Sequence, residues 1–286
     1  LTQNTAPTPK DLFVEVGGIR LRYADWGDNG PPVLLLHGDM RTSRSWDAVA
    51  RDLHSRFRVI SLDSRGHGDS DWPEKGYRYT DRINEVGEFC EAIGFRGGIG
   101  VGHSSGASVI ALAAERNPHQ FSRLALLEPP IVIDETFQER VSRRYNWTRS
   151  TWASKEELRE VLKKHELAGK WRDDVIEDVV NHEATELPDG RIDMKWSIET
   201  MNWNERKNDY FDLKPVLRKL GIPIAIITSS ERAGNYEAVK TFTSELDDFQ
   251  IVTIENTGHN MYMERPDATA SAIRAFAEAK PLARSF

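Results

Sequence analysis

The chain has 286 residues, a net charge of −7 and a single cysteine, Cys90. That length suits one large domain, or a domain carrying an insertion. The acidic balance argues against a nucleic-acid or anionic-membrane surface, and one cysteine excludes an intrachain disulfide.

LFVEV (12–16) and IRLRYADWG (19–27) flank Gly17-Gly18 and read as a hairpin. VLLLHG (33–38) is a continuous apolar run stopped by glycine, as expected of a strand buried on both faces. SRSWDAVARDL (43–53) has helical spacing, FRVISLD (57–63) is a second buried strand, and TDRINEVGEFCEAIGF (80–95) predicts a helix capped near Thr80 or Asp81. GGIGVGH (97–103) is a strand, SSGASVIALAAER (104–116) a helix and SRLALLE (122–128) the next strand. In residues 131–212 the rhythm changes and no buried strand is expected. SKEELREVLKKHEL (154–167) opens with the capping box Ser154/Glu157, and WRDDVIEDVVNHEA (171–184) predicts a second helix. Five of the eight tryptophans fall in this segment: Trp147, Trp152, Trp171, Trp196 and Trp203. Strands and helices resume with IPIAIITSS (222–230), a helix near 235–246, FQIVTIENTG (249–258) and a last helix from Pro266. The expected organisation is an α/β sheet domain, residues 1–130 and 213–286, interrupted by a helical cap over 131–212.

Gly102-His103-Ser104-Ser105-Gly106 is G-x-S-x-G between a strand and a helix, the context that this motif requires. Ser104 has glycines two residues before and two after. Ser105 has His103 and Ala107 there, so Ser104 is the candidate nucleophile. A serine attacking a carbonyl needs two N–H donors for the oxyanion. Ser105 supplies one. Asp39, past the strand that ends in His37-Gly38, is the expected second, with Met40 behind it. The general base should be a late-loop histidine, and His259 in ENTGHNMY lies between the last strand and the last helix. No histidine pair shows metal-ligand spacing among other ligands.

With HGDM (37–40), DSRGHGDS (63–70), GHSSG (102–106) and TGHN (257–260) in this order, the chain resembles the serine-dependent α/β-hydrolases. The likeness covers all but the first dozen residues and the cap. It implies an eight-stranded, mostly parallel sheet with helices on both faces, a helical lid, and a nucleophile–acid–histidine order. It also implies structural roles for Arg65 and His67.

Most relatives place an aspartate in a G-x-x-D turn after the strand that follows the cap. Aligned on Pro223, the glycine position here is Ser229 and the aspartate position is Arg232. Glu128 ends the strand after the nucleophile helix, and some α/β-hydrolases, fungal zearalenone lactonases among them, use a glutamate there. Their GxSSGAS run is also similar to residues 102–108. Glu128 is the expected triad acid and Glu231, one residue off register, the alternative. An arginine such as Arg123 would instead make Glu128 a structural ion-pair partner.

The expected activity is two-step acyl transfer on an ester or lactone of a bulky, partly apolar small molecule, with no metal and no organic cofactor. Carbon–carbon cleavage of a ring-fission product and amide or carbamate hydrolysis are the enzymatic alternatives. A ligand receptor of the same fold is the non-enzymatic one. Met40, His103, Trp147, Trp152 and Trp203 are pocket candidates. LTQNTAPTPK lacks the basic and apolar regions of a signal peptide, and no apolar run approaches the roughly 18 residues of a membrane span. A cytoplasmic monomer or homodimer, with neither nucleic acid nor membrane as partner, is expected.

Overall fold

The computed structural model describes residues 7–27, 29–144, 149–202, 205–206, 208–236, 248–280 and 285–286. β1 (Lys10–Val16) and β2 (Ile19–Asp25) form the hairpin across Gly17-Gly18. β3 (Pro32–Leu36), α1 (Asp47–Leu53), β4 (Arg58–Leu62), α2 (Tyr79–Ala92), β5 (Gly98–His103), α3 (Ser105–Arg116) and β6 (Phe121–Leu127) follow. The segment 131–212 holds β7 (Val132–Ile133), α4 (Glu135–Arg144), α5 (Lys155–Lys164), α6 (Asp173–Asp178), β8 (Ala184–Glu186), β9 (Ile192–Met194) and β10 (Phe211–Asp212). Then come α7 (Leu213–Lys219), β11 (Ile224–Ser229), β12 (Phe249–Ile254) and two helices, Met261–Glu264 and Pro266–Ala277.

Eight strands make one sheet in the order β1-β2-β4-β3-β5-β6-β11-β12. It is parallel from β4 to β12 and antiparallel at β1 and β2. Successive side chains of a strand point to opposite faces, so a strand covered on both faces must be apolar throughout. In β3, Val33 and Leu35 join one core while Leu34 and Leu36 join the other. β6 divides Ala125 and Leu127 from Leu124 and Leu126 in the same way. Leu158, Trp171, Val175, Ile176, Val179 and Val180 of the inserted segment belong to the first of these cores.

Three local expectations change. α2 is capped one turn earlier, at Arg78, whose backbone N–H donates to Asp81 Oδ2 at 3.0 Å. The helix expected over 171–184 is α-helical only to Asp178; a π-helical turn, Val179–Glu183, follows and leads into β8. The segment 131–212 also contains strands, and β9 is buried. Runs of two or three residues are too short to show a period. The helix expected near 235–246 lies almost wholly outside the described residues.

α1 meets the inserted segment through charge. Arg51 Nη2 lies 2.5 Å from Asp178 Oδ2, and Arg44 Nε donates to Asp47 Oδ2 at 2.8 Å. Among the described residues, Asp47, Asp178 and His182 place donor atoms within 4.8 Å of one another, a grouping with metal-ligand spacing that the sequence reading did not see. Arg44 and Arg51 already hold its carboxylates. Asp47 is 1% exposed and its Oδ1 has no hydrogen-bond partner among the described residues. Burial, offset in part by Arg44 and reinforced by Asp178, pushes its carboxyl up to about 7.

A carboxyl raised on folding disfavours the folded state as pH climbs from its unfolded value, near 4, to its folded value. Above that the penalty is constant. Asp47→Asn should therefore gain stability relative to the parent by about 2 kcal/mol between about pH 5 and about pH 8. Urea midpoints at the two pH values measure this; an equal offset at both contradicts it.

Candidate active site

β5 is buried along its whole length and ends at His103. Ser104 then takes φ 52° and ψ −124°, and α3 begins at the next residue. Such a backbone costs a residue with a Cβ on the order of 1–3 kcal/mol. A Cβ on Gly102 would stand 2.5 Å from Ala107 Cα, and one on Gly106 would stand 2.3 Å from the His37 carbonyl oxygen. The turn closes this tightly only with glycine at both places. The Ser104 N–H donates to the Leu127 carbonyl at 2.8 Å, which ties the elbow to the end of β6.

The next residue, Glu128, is 2% exposed and also left-handed, with φ 46°. Its carboxylate is fully engaged. Oε1 accepts from the Ser229 N–H at 3.0 Å and the Ser229 hydroxyl at 2.6 Å. Oε2 accepts from His259 Nδ1 at 2.6 Å and lies 3.1 Å from Arg232 Nε. Burial alone would raise this carboxyl. The His259 hydrogen bond and charge, then Arg232 and Ser229, outweigh burial and hold it below its usual value. The arginine at Glu128 is thus Arg232, while Arg123 lies over the Phe276 ring. Ser229, the last residue of β11, is fully buried, and both its donors turn to Glu128.

The loop after β3 packs onto the elbow. A Cβ on Gly38 would lie 3.1 Å from Ser104 Cβ. His37 fixes this loop: the Ser64 N–H donates to its Nε2 at 3.0 Å. Asp39 Oδ1 accepts from the Ser105 hydroxyl at 3.0 Å and from Arg82 Nη1 at 3.1 Å, and Arg206 lies 3.6 Å from Oδ2. The two residues expected to donate to an oxyanion are therefore tied through their side chains. Burial would raise the Asp39 carboxyl, but Arg206 and Arg82 hold it well below the usual range. Nothing in the sequence marks Arg82 or Arg206 for this; Arg82 reads as one more charge on an amphipathic helix.

The other candidates are placed differently. Glu231 is exposed and pairs with Lys170 of the inserted segment at 2.7 Å. It is not brought against His259. His103 was a pocket candidate but is 2% exposed. Its Nε2 donates to the His259 carbonyl at 2.8 Å, and its ring packs between those of His259 and Tyr262. Met40 is half-buried, with φ 62°. Trp152 is half-buried and pairs its backbone with Ile192. Trp147 and Trp203 lie outside the described residues.

A model of the alpha/beta hydrolase family matches residues 33–272. The chain belongs to that family. Among curated relatives, 2-hydroxy-6-oxo-6-(2'-aminophenyl)hexa-2,4-dienoic acid hydrolase of Metapseudomonas resinovorans is 26% identical, covering 93% of this chain and 90% of its own. The 2-(acetamidomethylene)succinate hydrolase of Mesorhizobium japonicum is 27% identical, covering 93% and 94%. The crystal structure of E-2-(acetamidomethylene)succinate hydrolase superposes with a TM-score of 0.82 at 23% identity, over 94% of this chain and 99% of that one. Among the described residues no helix is long and apolar enough to cross a membrane.

A fluorophosphonate should label this hydrolase on Ser104 alone, since Ser104 has both flanking glycines and its N–H is bonded to the Leu127 carbonyl, one residue before Glu128. Peptide mapping reads the outcome, and label on Ser105 contradicts the assignment.

Proposed function

We propose that the chain is a serine hydrolase that cleaves an ester or lactone of a small, partly apolar molecule through an acyl-enzyme. The observation that carries this reading is the 2.6 Å contact between Glu128 Oε2 and His259 Nδ1, beside the strained Ser104. An ionised carboxylate can only accept, so it takes the Nδ1 proton's hydrogen bond and leaves Nε2 as the basic atom. Its engagement by Ser229 and Arg232 keeps Glu128 ionised and fixes the imidazole plane.

In this mechanism His259 takes the Ser104 proton as Ser104 attacks the carbonyl. The N–H groups of Asp39 and Ser105 receive the oxyanion, in a loop held by the Asp39–Ser105 side-chain contact. His259 then protonates the leaving group and activates the water that releases the acid. Residues 131–212 act as a cap that selects the substrate, and no metal or organic cofactor takes part.

A second reading has specific support. Two relatives that span more than nine-tenths of the chain are named for a hydroxy-oxo-dienoic acid and an acetamido compound. The same machinery would then act on a carbon–carbon bond or an amide.

The test is kcat on a p-nitrophenyl ester for the parent, Ser104→Ala, Glu128→Gln and Glu231→Gln, with circular dichroism to confirm folding. Ser104→Ala should leave only a residual rate, and Glu128→Gln should fall roughly 10⁴-fold. Glu231→Gln should fall by about tenfold or less, as expected of an exposed ion pair. A near-normal Glu128→Gln beside a crippled Glu231→Gln would reverse the assignment.

A further inference from the structure

Arg41 follows Met40 in the loop after β3. Its side chain is 16% exposed. Among the described residues its guanidinium makes no hydrogen bond, and Nη1 is shut off from solvent as well. A guanidinium carries five donors in a planar fork. Leaving the Nη1 donors without an acceptor and away from water is costly.

Two groups of the inserted segment border it. Its Cζ lies 5.0 Å from the centre of the Trp171 ring. Glu183 Oε2 lies 3.7 Å from Nη1, too far for a hydrogen bond, and that oxygen already accepts the Thr42 N–H at 3.2 Å. Glu183 Oε1 has no hydrogen-bond partner among the described residues. Glu183 is fully buried at the end of the π-helical turn. Burial pushes its carboxyl up to about 7, although Arg41 and the Thr42 N–H pull it down. At neutral pH Glu183 is thus only partly ionised and leaves much of the Arg41 charge unbalanced.

Arg41 stands in the seam between the sheet and the inserted segment, on the side of the nucleophile. Burial first, then the charges of His259, Arg232 and Arg41, hold the His103 ring well below its usual value. Arg41 is therefore within electrostatic reach of the residue that precedes Ser104.

We propose that Arg41, its guanidinium lying over the face of Trp171, anchors a carboxylate of the substrate through the edge of its fork that is not shut off from solvent. The substrate is then an anionic carbonyl compound whose charged end is read by the loop that also carries Asp39. This rests on the reading of the site as a carbonyl hydrolase. A carboxylate supplies the acceptors that Glu183 does not, and fork-to-carboxylate hydrogen bonds are among the stronger ones in proteins.

The experiment compares monomethyl succinate with methyl butanoate, followed by proton release, in the parent, Arg41→Lys and Arg41→Gln. The parent should favour the half-ester. In Arg41→Gln the ratio of kcat/KM between the two esters should fall by about 10- to 100-fold, chiefly through KM for the anionic ester. Arg41→Lys should recover part of it. A ratio that does not change in Arg41→Gln, or a parent that favours methyl butanoate, overturns the proposal. Thermal melts with succinate and with succinamide separate this from the reading on which it rests. If neither ester turns over, that reading fails, while succinate still reports on Arg41. Succinate should raise the parent Tm more than succinamide does, and the difference should vanish in Arg41→Gln. Equal effects of the two ligands on the parent overturn the proposal by themselves.

Discussion

The site depends on keeping one carboxylate ionised at the buried end of a strand. Glu128 is out of water, and an unpaired charge there would either neutralise or unfold its surroundings. Each of its oxygens has two strong partners, Ser229 on Oε1 and His259 with Arg232 on Oε2. These partners come from the end of β11 and from two loops beyond it. One buried charge thus fixes where β6, β11 and the histidine loop end relative to one another. The same demand accounts for two departures from the pattern of relatives. In the turn where they carry glycine and aspartate, this chain has Ser229 and Arg232, and both are donors to Glu128. With Glu128, just after β6, as the candidate acid, that turn is free to supply the cation and the hydroxyl that keep its carboxylate charged.

Three of the seven described non-glycine residues with positive φ lie at the same end of the sheet. Met40, Ser104 and Glu128, each a non-glycine residue with positive φ, follow β3, β5 and β6, which are neighbours in the sheet. Three such residues together cost on the order of several kcal/mol. They persist because the strands beneath them are apolar on both faces and leave the loops little room to relax. The strain lies where a candidate nucleophile, a carboxylate and a candidate oxyanion loop meet.

The strands were legible because burial on both faces demands continuous apolar runs such as VLLLHG and RLALL. Ser104 was legible because only glycine tolerates the approach of Ala107 and the His37 carbonyl. Glu128 was legible as a carboxylate directly after four apolar residues, where solvent cannot satisfy it. Contacts between distant charges left no such mark. Arg82, Arg206 and Arg232 have the sequence surroundings of ordinary surface cations, and Ser229 those of a strand end. Their partners lie far along the chain: 43 residues separate Arg82 from Asp39, and 101 separate Ser229 from Glu128. The π-helical turn at Val179–Glu183 was hidden too, since its residues continue the apolar spacing of α6.

Charge also governs how the inserted segment meets the sheet. Its apolar side chains join one of the two sheet cores, and that contact alone would tolerate sliding. Around it run Arg206 to Asp39, Glu183 to the Thr42 N–H, Asp178 to Arg51 and Lys170 to Glu231. Ion pairs of this kind add little net stability when buried, because desolvation offsets their attraction. Breaking one partner is costly all the same, so a mismatched docking is penalised several times over. Asp39 and Thr42 stand on either side of Met40 and Arg41, so the inserted segment adds its contacts to a loop that His37, Ser105 and Arg82 already hold. Arg206 and Glu183 then act on the loop that faces Ser104, and the segment that would choose a substrate also holds the loop that would receive its oxyanion.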